Sequence, residues 1–153
     1  MRYDESRARR TTENALRYNG SLMPEKHFHR DLNRLVDFSF VYDKVESLYS
    51  NTGCRSVDPV VIVKMMLIGY LYGIDSERRW EQEVQVNIAY RWFLGINLDE
   101  PVPDHSTFSQ LRHRKFNGTT LFEDVFEQVV RLCIEKVLIT GKRFSYRFHT
   151  YPC

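Results

Sequence analysis

The sequence predicts an all-α fold, a compact multi-helix bundle, from three observations. Asp58 to Tyr72 is an almost unbroken apolar run bounded by helix start and stop residues. The segment after Thr120 repeats apolar residues at steps of three and four. No convincing run of strands and no internal repeat occurs. At 153 residues the chain suits one domain with a single core, enough to bury about two thirds of its unfolded surface.

The elements follow in chain order. Residues 1–21 are polar and charged without sustained apolar periodicity, the pattern of an N-terminal arm. Phe28, Leu32, Leu35 and Val36 share one helical face, and Val41, Val45, Leu48 and Tyr49 form the next. The element after them is the best delimited. Asp58 caps its first amides, Pro59 stands at the first helical position, where no N–H is needed, and Gly73 ends it in a left-handed conformation. Between these residues Lys64 is the sole charged side chain, so the helix is apolar nearly all round and belongs at the centre of a bundle. Its methionines read as core filling rather than as a ligand pocket. Ser76 with Glu77 opens a further helix through Trp80 and Val84 to Gln85. Asn87 caps another that contains Ile88, Ala89, Tyr90, Trp92 and Phe93 and stops at Gly95. Gly95 to Pro103 is a loop. In the last helix Leu121, Phe122, Val125, Phe126, Val129, Leu132, Cys133 and Val137 form an apolar stripe.

Composition excludes several classes of function. A net charge of +2 does not by itself imply nucleic-acid binding, which must rest on clusters such as Arg7-Ala8-Arg9-Arg10 and Arg112-His113-Arg114-Lys115. Cys54, Cys133 and Cys153 are odd in number and widely spaced, which argues for reduced thiols and a cytoplasmic location. The N-terminus lacks the apolar core of a signal peptide, and Val60 to Tyr72 is too short to span a bilayer, so no membrane partner is expected. His27 and His29 lie two apart, would diverge by about 200° on a helix and have no nearby Cys, so no metal site is expected there. Asp99-Glu100 and Glu123-Asp124 read as solvated charges. No Ser-His-Asp set, glycine-rich phosphate loop or HExxH occurs, and no cofactor is expected. Trp80, Tyr90, Trp92 and Phe93 are spaced for core packing rather than for base stacking.

The strongest candidate site is Asp104 to Phe116. With Asp104 as the cap and about 100° per residue, Phe108 and Leu111 point to one side. Ser106, Ser109, Gln110 and His113 point to the other, with Thr107, Arg112 and Arg114 along the edges and Lys115 beyond them. Small hydroxyls near a helix start allow close approach to a groove, amides and guanidinium groups read base edges, and flanking cations hold phosphates. A solvated amphipathic helix has the same pattern. Ser76 to Leu94 followed by Asp104 to Phe116 forms a helix-turn-helix-like portion, although the connection is longer than the usual turn of about 3 to 4 residues.

Several separated motifs recur here in one order: Asp58-Pro59-Val60, Tyr70-Leu71-Tyr72-Gly73-Ile74, Ala89-Tyr90-Arg91-Trp92-Phe93 and Pro103-Asp104-His105-Ser106-Thr107-Phe108. Together they resemble the helical N-terminal domain of bacterial insertion-sequence transposases of the DDE class, across roughly residues 22–142. The resemblance implies a domain at 22–142 that binds double-stranded DNA at the terminal inverted repeats of its element, with another transposase copy as a further candidate partner. It implies that Ser106, Thr107, Ser109, Gln110, Arg112, His113, Arg114 and Lys115 face that DNA. The alternative is a helical protein-interaction module that multimerises without touching DNA. The low net charge favours that alternative, and the basic stretch Arg112 to Lys115 favours DNA.

In this family the catalytic Asp, Asp and Glu hold two divalent metals. The resemblance places the first Asp in a strand ending Thr-Asp-Ser-Thr-His, soon after Leu138-Ile139-Thr140-Gly141-Lys142. Here residues 143–153 read Arg-Phe-Ser-Tyr-Arg-Phe-His-Thr-Tyr-Pro-Cys, and no acidic residue follows Glu135. Allowed codons for Phe144 to Cys153, read one nucleotide later, give Phe-Leu-Thr-Asp-Ser-Thr-His-Ile-His. The expectation is therefore a frameshifted or truncated transposase with an out-of-frame tail and no catalytic residues of its own.

Overall fold

The architecture is built around the helix whose ends the sequence marks most clearly. In the computed structural model, which describes residues 13, 17, 20–46, 57–111, 113 and 120–135, all regular elements are helices and none of the described residues lies in a strand. These are α1 (Phe28–Leu35), α2 (Phe40–Val45), α3 (Pro59–Tyr72), α4 (Glu77–Val86), α5 (Ile88–Leu94), α6 (His105–Leu111) and α7 (Leu121–Glu135). The Asp58 carboxylate accepts from the Val60 amide at 2.8 Å, and Gly73 closes α3 at φ 64°. The Ile74 amide then donates back to the Gly69 carbonyl at 2.8 Å, which satisfies a carbonyl the helix end would leave orphaned. With apolar residues on every side, α3 packs against α2, α4, α5 and α7. One residue without a side chain lets α4 come close. A Cβ on Gly69 would overlap the Trp80 indole, whose Nε1 donates to the Ile74 carbonyl at 2.6 Å.

Asn87 both ends α4 and starts α5. Its backbone is extended, and its side chain accepts from the Ala89 and Tyr90 amides at 2.9 and 3.3 Å. α4 reaches Val86, one residue past the expected Gln85, and α5 stops at Gly95 with φ 74°. Tyr90, Trp92 and Phe93 are buried, as their spacing predicts. In α7, Val125, Phe126, Val129 and Cys133 are buried, and Phe126 meets Tyr70 of α3 edge-on at 4.9 Å. Burial pushes the Cys133 thiol up to about 11, so it stays protonated at neutral pH.

Three expectations need correction or fall outside the described residues. Leu35 is 36% exposed rather than on the buried face, because α1 turns His29 into the core instead, and Leu32 and Val36 complete that face. His27 and His29 do not diverge on one helix. His27 precedes α1 and caps it, its Nδ1 accepting from the His29 amide at 3.2 Å, and the two rings lie 5.1 Å apart. Leu48, Tyr49, Cys54, Val137, Cys153, the basic cluster at residues 7–10 and the tail at 143–153 lie outside the described residues. Within the expected N-terminal arm Glu13, Arg17 and Gly20 are helical, and the Gly20 carbonyl accepts from Arg30.

His29 and Lys64 lie inside the core. His29 is fully buried, stacks on Phe93 at 5.0 Å, and has its two ring nitrogens 3.4 Å from the Ala89 carbonyl and 3.1 Å from the Tyr72 hydroxyl. Burial, aided by the charge at His27, brings it down to about 4, so it is neutral in the folded protein at physiological pH. Lys64 is 4% exposed. Its Nζ donates to Asn33 Oδ1 at 2.8 Å and to the Phe93 carbonyl at 2.9 Å, and it sits 4.8 Å from the ring centres of both Phe38 and Phe93. Burial brings Lys64 down to about 8.

That depression fixes the sign of a pH effect. Between about 8 and the unfolded value of 10.5 the unfolded chain binds more protons at Lys64 than the folded one, so folding gains stability as pH rises through that window. We expect the urea stability of the native chain, relative to Lys64→Met, to climb by about 1 kcal/mol per pH unit there. A flat difference between pH 8 and 10 would show that the ammonium is not desolvated.

Candidate nucleic-acid interface

The segment singled out by its sequence folds as a short helix mounted on α4. Asp104 starts α6, its Oδ1 accepting from the Ser106 amide at 2.6 Å while its carbonyl accepts from the Phe108 amide at 3.2 Å. Hydrogen bonds from the Ser106 side chain and backbone amide hold the Asp104 carboxyl below the usual carboxylate range. Phe108 and Leu111 are buried, and Phe108 meets Trp80 of α4 edge-on at 5.1 Å. A polar clasp adds to the apolar contact. Glu81 Oε2 accepts from the His105 backbone amide at 3.0 Å and lies 2.8 Å from His105 Nδ1. The same two bonds hold the Glu81 carboxyl below its ordinary value, so the clasp persists into mildly acidic solution.

On the opposite side Ser106, Gln110 and His113 are exposed, and Thr107 and Ser109 are half-buried. The placement of Arg112, Arg114 and Lys115 lies outside the described residues. The long connection ahead of α6 is fastened by Arg91, a buried guanidinium. Its Nε donates to the Gln85 carbonyl at 3.2 Å, and its Nη1 donates to the Asn97 and Glu100 carbonyls at 2.7 and 3.0 Å. Glu100, expected as a solvated charge, accepts from the Asn97 amide at 2.9 Å and so closes the same turn. Asp99 is exposed, as are Glu123 and Asp124.

Sequence reasoning missed Glu81 and Arg91 as the residues that seat α6 and its connection. Glu81 carries no local signal, since its partner is 24 residues away. Arg91 does carry one: like Lys64, it is a lone cation in an apolar helix, a position that pays desolvation unless fixed acceptors await it. Two further exposed cations, Arg78 and Arg79, stand on α4, the helix that carries α6. Glu81, Asp104 and His105 bring possible metal-ligand atoms within 4.8 Å of one another. The His105–Glu81 hydrogen bonds, with Asp104 the neighbour of His105 in the chain, account for that closeness as the seat of α6.

With this geometry in place, comparison with protein families matches residues 10–114 to the transposase domain family (DUF772). The match covers more than half of the chain and spans α1 to α6, and the protein belongs to that family. No curated protein and no solved structure matches the chain significantly. α7 lies beyond the matched residues but packs on α2 and α3, within the same core.

The two sides of α6 should separate cleanly on mutation. Phe108→Ala opens a cavity under the helix and should cost about 3 to 5 kcal/mol of stability. Gln110→Ala touches solvent and should stay within about 0.5 kcal/mol. Equal losses in thermal or urea unfolding would mean that α6 is not oriented as described.

Proposed function

We propose that the chain is the DNA-binding N-terminal domain of an insertion-sequence transposase of the DDE class, acting on the ends of its element in the cytoplasm. The observation that carries this reading is α6. Its apolar side buries Phe108, against Trp80 of α4, and Leu111, and it leaves Ser106, Gln110 and His113 exposed in a protein of the transposase domain family. A helix held this way against a supporting helix has the arrangement a groove-reading helix needs. In this reading Ser106, Thr107, Ser109, Gln110, His113 and Arg114 meet base edges or sugars, and Arg112 and Lys115 neutralise phosphates. Arg78 and Arg79 add phosphate contacts from α4.

A second reading has a specific observation in its favour. Val86 is 83% exposed and Leu98 40% exposed, and each adjoins a residue whose carbonyl accepts from Arg91, namely Gln85 and Asn97. Such an apolar pair suits contact between transposase copies, the multimerisation role. DNA binding by the wild-type chain, measured on element-end and scrambled duplexes across salt, separates the two readings.

We further infer that the chain does not itself cut or join DNA, because codons allowed for residues 144–153, read one nucleotide later, can encode the Thr-Asp-Ser-Thr-His strand that the family resemblance leads one to expect. Purified protein should show no Mg²⁺- or Mn²⁺-dependent cleavage or strand transfer, and the DNA downstream should encode, in the shifted frame, a catalytic domain with its second Asp and a Glu. Reproducible metal-dependent cutting, or a downstream frame closed by stops, overturns this inference.

For the recognition helix, Gln110→Ala should reduce discrimination between cognate and scrambled DNA, costing about 1 to 3 kcal/mol at the affected position. Lys115→Ala should weaken both duplexes alike and flatten the salt dependence by nearly one unit of log-log slope, as the loss of about one phosphate contact requires. If both variants fold and bind as the wild type does, the interaction-module reading stands instead.

A further inference from the structure

A cavity of about 500 Å³ lies among α1, the turn that follows it, α2 and the start of α3, elements to which α6 does not belong. Lys64 lines it from within the core, joined by Asn33 and Arg34 of the last turn of α1 and by Asp37, Ser39 and Tyr42. The charge balance inside is unusual for a buried cation. Among the described residues Lys64 makes no ion pair, and its two hydrogen bonds go to neutral oxygens, Asn33 Oδ1 and the Phe93 carbonyl. An ammonium has three N–H donors, so one is left over.

The carboxylates nearby are engaged elsewhere. Asp37 accepts from the Ser39 amide and hydroxyl at 2.9 and 2.8 Å, and Asp58, outside the lining, accepts from the Tyr42 hydroxyl at 3.1 Å and from the Val60 amide. The donors, by contrast, are in surplus. Because an ammonium can only donate, the Asn33 amide must turn its oxygen to Lys64, which leaves its NH₂ uncommitted. Arg34 is exposed and uses Nη2 on Asp31 at 2.9 Å, with four of a guanidinium's five N–H groups remaining.

We propose that this cavity binds a small oxyanion, with the Lys64 ammonium at its floor and the Asn33 amide and Arg34 guanidinium along one wall. Asp58 attracts Lys64 without forming an ion pair with it, so the oxyanion supplies a nearer counter-charge, and the guanidinium fork at the rim matches a carboxylate or phosphate edge. The site rests on residues separate from the DNA reading and stands or falls without it.

The test is a titration of the isotope-labelled full chain, followed by NMR, with inorganic phosphate in one arm and acetate in the other. Sodium chloride of matched ionic strength is the control. We expect saturable shifts centred on Asn33, Arg34 and the Lys64 side chain in at least one arm, and the arm that saturates identifies phosphate or carboxylate as the ligand class. Arg34→Ala and Lys64→Met should each weaken that binding by about tenfold or more. Arg34 lies on the surface, so its variant decides the matter even if Lys64→Met fails to fold. Shifts that match the chloride control, or saturable binding that Arg34→Ala leaves intact, overturn the proposal.

Discussion

A buried ammonium that forms no ion pair among the described residues governs how the central helices meet. Lys64 projects from α3 into the core at the edge of the cavity lined by Asn33 and Arg34, and its burial is offset by Asn33 of α1 and the Phe93 carbonyl of α5, both within hydrogen-bond distance, and by the attraction of Asp58. The faces of Phe38 and Phe93 complete its surroundings. An apolar helix such as α3 has no preferred side by hydrophobicity alone and would pack in several rotations. One charge with two fixed acceptors selects among them, the kind of specificity a buried polar group supplies at some cost in stability.

Phe93 links this constraint to the rest of the core. Its ring stacks on His29 and meets Phe38 edge-on at 5.9 Å, while its carbonyl holds Lys64. α1, α3 and α5 are thereby joined at one point. From there α4 is set by the Gly69 and Trp80 contact, and α6 is set on α4 through Trp80, Phe108 and the Glu81 clasp. The candidate DNA-facing surface is thus several contacts removed from Lys64, yet its orientation is inherited from the same packing.

Arg91 resolves the difficulty posed by the long connection between α5 and α6. A free loop of that length would leave α6 without a defined position, because closing it costs conformational entropy. Bonds from one buried guanidinium to the carbonyls of Gln85, Asn97 and Glu100 tie the start of that loop to the end of α4. The connection therefore works as a fixed spacer, although its length departs from a tight turn.

By itself the sequence determined the all-helical class, the start of α3 at Asp58 and Pro59, the left-handed stops at Gly73 and Gly95, the double role of Asn87 and the apolar underside of α6. Each is settled by chemistry within about one helical turn: a side chain reaching the next amides, a residue that tolerates positive φ, or a period of apolar positions. Tertiary structure alone decided that His29 rather than Leu35 faces inward, that Lys64 and Arg91 find acceptors, that Gly69 gives way to Trp80 and that Glu81 seats His105. His29 meets a carbonyl 60 residues away, Lys64 meets partners 31 and 29 away, and Glu81 meets one 24 away. Neither helical period nor capping rule reaches that far, so only the packing of whole helices brings those groups together.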